Sequence, residues 1–213
     1  MSREYQKALG HALTLAPVVP VMVIERVADA VPLARALVKG GLRVLEITLR
    51  TATAMDSIRA IIAEVEGAIV GSGTVLTPEQ LRDSYKLGCK FAVSPGATGR
   101  LLGAAEDYEI DFLPGGVTAS ESMALLEWGY AIQKFFPAEP AGGAAYLASL
   151  AAPLPQIRFC PTGGITPEKA AAYLKLPNVI AVGGSWMAPR KLVEAQAWAE
   201  IEQLAAEAAR LKG

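Results

Sequence analysis

Histidine is almost missing from this sequence: 213 residues contain one, His11. A zinc-dependent carbon–carbon lyase normally draws several histidine ligands, so that class is disfavoured. A serine–histidine triad is disfavoured as well, because His11 precedes the first strand, on what reads as an amphipathic N-terminal helix. There it is expected to be a surface or packing residue. Acid–base chemistry then falls to carboxylates, lysine, tyrosine or water. Cysteine is nearly as scarce. Cys89 and Cys160 show no metal-binding spacing, and without an export signal they are expected to be reduced thiols. Neither sign of charge dominates: 20 basic residues stand against 21 acidic ones, a net charge of -1. There is thus no electrostatic case for nucleic acid or an anionic membrane as partner. No apolar run is long enough to cross a bilayer. Met1 to Lys7 mixes charges of both signs and does not read as a signal peptide. The expected setting is the cytoplasm.

What is present is an ample apolar stock, 52% of residues, rich in alanine, valine, leucine and isoleucine. Short β-branched runs alternate with alanine- and leucine-rich helical stretches. Strands are expected at Val18 to Ile24, Arg43 to Leu49, Ala68 to Gly71, Phe91 to Ser94, Asp111 to Leu113, around Lys134, Ile157 to Cys160 and Val179 to Val182. A helix follows each one. Pro78 and Pro167 stand where proline opens a helix at its first turn, and a single last helix is expected from about Val193 to Leu211. Eight such units predict a single-domain (β/α)8 TIM barrel over residues 1–213, with an N-terminal helix in front. A doubly wound open sheet is the alternative.

Ala131-Ile132-Gln133-Lys134-Phe135-Phe136-Pro137 is the stretch with the most unusual chemistry. A lysine in the middle of an apolar strand is costly to bury. Burial favours a neutral amine, and a neutral amine is a nucleophile able to form a Schiff base with a carbonyl. Snorkelling to solvent from the strand end is the other reading. The second strand adds a second clue. Residues two apart share a face, so Glu46, Thr48 and Arg50 point one way and Leu45, Ile47 and Leu49 the other. The apolar set packs against helices, which turns the polar set inward, towards Lys134. A structural ion pair of Glu46 with Arg50 or Lys134 would also satisfy this pattern. Gly163-Gly164 and Gly183-Gly184-Ser185 close the seventh and eighth strands, where barrels often bind phosphate through backbone N–H groups.

Six motifs carry a family resemblance: Glu46-Ile47-Thr48-Leu49-Arg50-Thr51, Gly73-Thr74-Val75-Leu76, Ser94-Pro95-Gly96, Lys134-Phe135-Phe136-Pro137-Ala138-Glu139, Phe159-Cys160-Pro161-Thr162-Gly163-Gly164-Ile165 and Gly183-Gly184-Ser185-Trp186. In this order, over nearly the whole chain, they resemble the 2-keto-3-deoxy-6-phosphogluconate (KDPG) aldolases. The resemblance implies a class I, metal-independent and cofactor-free aldolase of the Entner–Doudoroff pathway, typically a homotrimer. Its substrate would be a phosphorylated 2-keto-3-deoxy sugar acid, with pyruvate as a product. Relatives with a similar core cleave 4-hydroxy-2-oxoglutarate. By motif position Lys134 would be the Schiff-base lysine and Glu46 the general acid–base. Arg50 and Thr74 would hold the pyruvate carboxylate, and Gly163, Gly164, Gly184 and Ser185 the phosphate. Pro95, Phe136 and Thr162 would complete the substrate site. A phosphosugar isomerase or epimerase would share the glycine pairs without needing Lys134. A non-catalytic sugar-phosphate sensor would not need an inward Glu46.

Overall fold

A computed structural model describes residues 5–211; Met1 to Glu4 of the charged N-terminal stretch lie outside the described residues. The strands are β1 (Val18–Met22), β2 (Val44–Thr48), β3 (Ile69–Gly73), β4 (Phe91–Val93), β5 (Asp111–Leu113), β6 (Gly115–Gly116), β7 (Ile132–Phe135), β8 (Arg158–Pro161) and β9 (Val182–Gly184). The helices are α1 (Tyr5–Leu13), α2 (Val27–Lys39), α3 (Ala54–Glu64), α4 (Pro78–Leu87), α5 (Gly99–Asp107), α6 (Ala119–Glu127), α7 (Gly143–Ser149), α8 (Pro167–Leu174), α9 (Arg190–Glu194) and α10 (Trp198–Ala209).

Local chemistry sets several helix starts. Pro78 and Pro167 do open α4 and α8. At α6 a capping box is complete: Thr118 accepts from the Glu121 N–H, while the Glu121 carboxylate accepts from the Thr118 N–H at 2.8 Å.

Among the described residues all strand pairing is parallel. One sheet runs β5-β4-β3-β2-β1-β9 and a second runs β6-β7-β8. Pro114 alone separates β5 from β6, and its carbonyl accepts the Lys134 N–H at 2.8 Å. Isolated parallel bridges, Phe159 with Val179 and Thr162 with Gly183, link the β8 end to the chain entering β9. The result is an α/β fold whose parallel strands curl into a half-barrel. Two apolar clusters follow from the curl. Leu45 and Ile47 belong to the large outer cluster, with α2 and α3 residues such as Leu37 and Ile58. Val44, Phe91, Val93, Leu113 and Cys160 form the inner one. Glu46 and Thr48 share parity with Val44 and are both buried, so the inward turn of the polar set is observed.

Helix α1 closes the far end. Leu9 and Leu13 belong to the inner cluster. The Gln6 amide donates to the Ile132 carbonyl at 2.8 Å and accepts the Ile132 N–H at 2.9 Å. His11 is exposed, as expected.

Two expectations need correction. The strand expected at Val179 to Val182 is displaced: Val179 makes only an isolated bridge, and the ladder to β1 pairs Val18 with Val182 and Pro20 with Gly184. The last helix is broken into α9 and α10. Gln196 takes a left-handed backbone (φ 53°). The Ala197 N–H returns to the Leu192 carbonyl and the Gln196 N–H to that of Val193. This is a Schellman stop with glutamine in the place glycine usually fills.

Candidate active site

Lys134 stands in β7 between Gln133 and Phe135, with its neighbours fixed by the ladders: Gly115 on one side and Cys160 on the other. Its ammonium meets the Glu46 carboxylate at 3.0 Å and 3.4 Å. Lys134 is 4% exposed and Glu46 3%, so the snorkelling alternative fails. The pair is buried and bidentate. Such a pair costs desolvation on both partners, and charge attraction alone rarely makes it a net source of stability. Gly73, in the ladder across from Thr48, makes room for it: a Cβ there would overlap the Glu46 carboxylate. The next residue, Thr74, has a left-handed backbone (φ 57°), uncommon for a β-branched residue. Strain of this kind concentrates at functional sites.

A relay fixes Arg50. The Thr48 hydroxyl donates to the Met22 carbonyl at 2.9 Å and accepts from Arg50 Nε at 3.2 Å. Arg50 is exposed and lines the large cavity.

A cavity of about 760 Å³ opens at the C-terminal ends of the strands. Arg50, Phe136, Thr162, Gly163, Gly164, Gly184 and Ser185, seven of the expected site residues, line it. Phe136 joins this space to the buried pair, with Lys134 Nζ 5.5 Å from its ring centroid. Gly163 and Gly164 have left-handed backbones (φ 107° and 76°). Among the described residues no group accepts the N–H of Gly164 or Ser185, while the Thr162–Gly183 bridge turns the Gly163 N–H towards the Gly183 carbonyl. Gly164 and Ser185 both line the concave space, so two backbone donors without an internal partner stand at its wall, which suits an oxyanion.

Pro95 lies apart from this group, on a cavity of about 220 Å³ with Gly115, Gly116 and Trp128. Its carbonyl crowds Gly115, which needs its missing side chain there. Thr74 is not on the wall of the large cavity either; it ends β3 beside Gly73.

The mouth holds charges that the sequence reading did not assign. Glu25, Arg26, Asp29, Arg190 and Glu194 all line the cavity. Arg26 pairs with Asp29 at 2.7 Å and Arg190 with Glu194 at 2.6 Å. The i,i+3 and i,i+4 spacings are visible in the sequence; their place at the cavity is not.

Both thiols are buried. Burial pushes Cys89 up to about 11. It pushes Cys160 up to about 12, with Lys134 opposing and Glu46 adding to the rise. A thiolate is the reactive form, and neither site favours it. Among the described residues no group of three or more His, Cys, Asp or Glu is placed to hold a metal ion. Dialysis against EDTA is expected to leave turnover unchanged, and a loss restored by zinc or magnesium would contradict this. No helix of the described residues is long and apolar enough to cross a membrane.

Comparison with known proteins agrees with this geometry. The profile of the KDPG and KHG aldolase family matches residues 9–204. The KHG/KDPG aldolase of Escherichia coli K12 is 51% identical over 206 residues, covering 97% of both chains. The crystal structure of the 2-keto-3-deoxy-6-phosphogluconate aldolase of Zymomonas mobilis ZM4 with 3-phosphoglycerate is 47% identical, with a TM-score of 0.92 over 98% of this chain and 97% of that one. A KDPG aldolase from Legionella pneumophila, with pyruvate captured at low pH as a covalent carbinolamine intermediate, is 43% identical, with a TM-score of 0.92 over 94% and 97%.

Proposed function

From the membership of this chain in the KDPG and KHG aldolase family, we propose the following reading of its site and its chemistry. The protein is a class I, Schiff-base aldolase. It cleaves 2-dehydro-3-deoxy-6-phosphogluconate to pyruvate and glyceraldehyde 3-phosphate, a step of the Entner–Doudoroff pathway. The observation that carries the assignment of residues is the buried contact of Lys134 Nζ with Glu46, at 3.0 Å.

Lys134 gives a proton to Glu46 and attacks the C2 ketone. The carbinolamine loses water to become an iminium. That cation is an electron sink, so the electrons of the C3–C4 bond flow into it as the C4 hydroxyl gives up its proton. Glyceraldehyde 3-phosphate leaves and an enamine remains. The enamine takes a proton at C3, and hydrolysis frees pyruvate and Lys134. Glu46 is the base within reach for these transfers, directly or through one water. Arg50 and Thr74 take the planar carboxylate of the pyruvyl end; a guanidinium fork suits that shape. Phe136 and Thr162 wall the substrate channel, Pro95 supports the β6–β7 side, and Gly163, Gly164, Gly184 and Ser185 receive the phosphate. Cleavage of 4-hydroxy-2-oxoglutarate is the second activity of this reading, favoured by the similarity to the E. coli KHG/KDPG aldolase.

A closed eight-stranded (β/α)8 barrel belongs to the same proposal, supported by the bridges that join β8 to the β9 side. So do a homotrimeric assembly and a cytoplasmic setting, which rest on the family resemblance.

An assay of pyruvate release from KDPG and from 4-hydroxy-2-oxoglutarate tests the function. No release from either substrate would overturn it. The phosphate end is best probed at Ser185. A side chain at Gly184 would overlap the Trp186 ring, and at Gly163 it would strain the backbone, so those variants confound binding with folding. Ser185 is exposed. Ser185→Asp places a carboxylate against the phosphate, and KM for KDPG is expected to rise by ~10–100-fold, the scale of a like-charge contact near a surface. KM for 4-hydroxy-2-oxoglutarate should move far less. Equal rises for both substrates would remove phosphate from this end of the cavity.

A further inference from the structure

Glu139 has no part in the chemistry above, yet it is wired to the turn that is read as the phosphate site. Beyond the end of β7 the chain stays paired with the chain beyond β8. The Ala138 N–H donates to the Thr162 carbonyl at 2.8 Å and the Glu139 N–H to the Gly163 carbonyl at 3.0 Å. The Glu139 side chain then lies over Gly164, where an added Cβ would come within 2.9 Å of the Glu139 Cβ. Its carboxylate is held from α8, the helix that leaves the turn. Tyr173 OH donates to Oε1 at 2.6 Å, and Lys169 Nζ pairs with Oε2. Tyr173 is 1% exposed, so this anchor is fixed in the core. The Lys169 ammonium and the Tyr173 hydroxyl hold the Glu139 carboxyl below the usual range.

We propose that Glu139 is a positioning residue that sets the Gly163–Gly164 turn for the phosphate of the substrate. Glycine tolerates many backbone conformations, so the direction of the Gly164 N–H depends on what holds the turn from outside. Glu139 imposes it from two sides: its backbone fixes the Gly163 carbonyl, and its side chain covers Gly164 and ties both to α8. Preorganised donors bind more tightly than donors that must first be ordered. Because Glu139 lies five residues after Lys134, the same loop links the reacting lysine to the phosphate end. The inference rests on the phosphate reading of the turn.

The test compares parent, Glu139→Ala, Glu139→Gln and Tyr173→Phe in steady-state cleavage of KDPG and of 4-hydroxy-2-oxoglutarate. Inorganic phosphate serves as a competitor in the parent. In Glu139→Ala, KM for KDPG is expected to rise about ten-fold with kcat nearly unchanged, the scale of one lost charge-assisted hydrogen bond. KM for 4-hydroxy-2-oxoglutarate should stay near the parent value. Glu139→Gln keeps an acceptor for Tyr173 and should recover most of the loss. Tyr173→Phe keeps the packed ring and removes one donor, so a rise of about three-fold is expected; it keeps the test open should Glu139→Ala fold poorly. Equal losses on both substrates would show a merely structural role and overturn the inference. So would competition by phosphate in the parent together with an unmoved KM in Glu139→Ala. A parent that phosphate does not inhibit would overturn the phosphate reading itself, and this inference with it.

Discussion

Lys134→Met should abolish cleavage, with turnover falling on the order of 10⁶-fold, the scale seen when a covalent nucleophile is deleted. Methionine roughly keeps the length and volume of the side chain without a nucleophilic nitrogen. The variant also strands Glu46, which is 3% exposed and has Lys134 as its ion-pair partner. Removing one partner of a buried pair costs ~3–5 kcal/mol, so a lower Tm must be measured beside the rate. A double variant, Lys134→Met with Glu46→Gln, separates the two effects: it should regain stability and stay inactive. The direct readout is borohydride reduction with pyruvate. Only an iminium becomes a permanent adduct, and mass spectrometry of the parent should place it on Lys134. An adduct on any other lysine, or full turnover in a folded Lys134→Met, would end the Schiff-base assignment.

Glu46→Gln carries the next largest effect. If Glu46 serves only to neutralise Lys134, the change should lower stability and little else. If it moves protons, turnover should fall by ~10²–10⁴-fold, the usual range for a positioned acid–base group. Glutamine keeps the shape that packs against Gly73 and still offers an acceptor to Lys134. Exchange of pyruvate methyl protons with deuterated water isolates the step, because it needs the enamine proton transfer but no carbon–carbon cleavage. Exchange and cleavage are expected to fall together. A folded variant that exchanges at the parent rate would make a water or another group the base.

The buried pair is legible in the sequence for a physical reason. Period-two parity on β2 and a charge inside an apolar run on β7 are local patterns. Both assign a face, and a face is what strand geometry fixes. The roles of Gly73 and Thr48 are visible as positions but not as contacts, because each depends on what a neighbouring strand brings up. Glu139 is the stronger case: its neighbours Tyr173 and Lys169 lie on a helix 30 or more residues away, and no spacing announces them. The same is true of the charged mouth, where Arg26 with Asp29 and Arg190 with Glu194 read as ordinary surface pairs until the chain closes. The break between α9 and α10 is hidden because its left-handed residue is a glutamine. The short β9 ladder is misplaced from sequence because Val179 to Val182 is more β-prone than Val182 to Gly184, yet pairing with β1 decides which residues count.

The Gln6 clamp bears on how the chain is made. Its partners are the Phe112 carbonyl and both backbone groups of Ile132, up to 126 residues downstream. A nine-residue helix such as α1 is marginal alone in water. The ribosome delivers about 5–20 residues per second, so the first helix emerges roughly 6–25 seconds before the strand that locks it has been synthesised. The Glu46–Lys134 contact waits in the same way, across 88 residues. Nascent chains shorter than this hold an apolar helix face and an unmatched carboxylate together. For this protein the Glu46–Lys134 contact becomes available only after β7 has been made, and α1 is fixed by partners that are translated more than 100 residues after it.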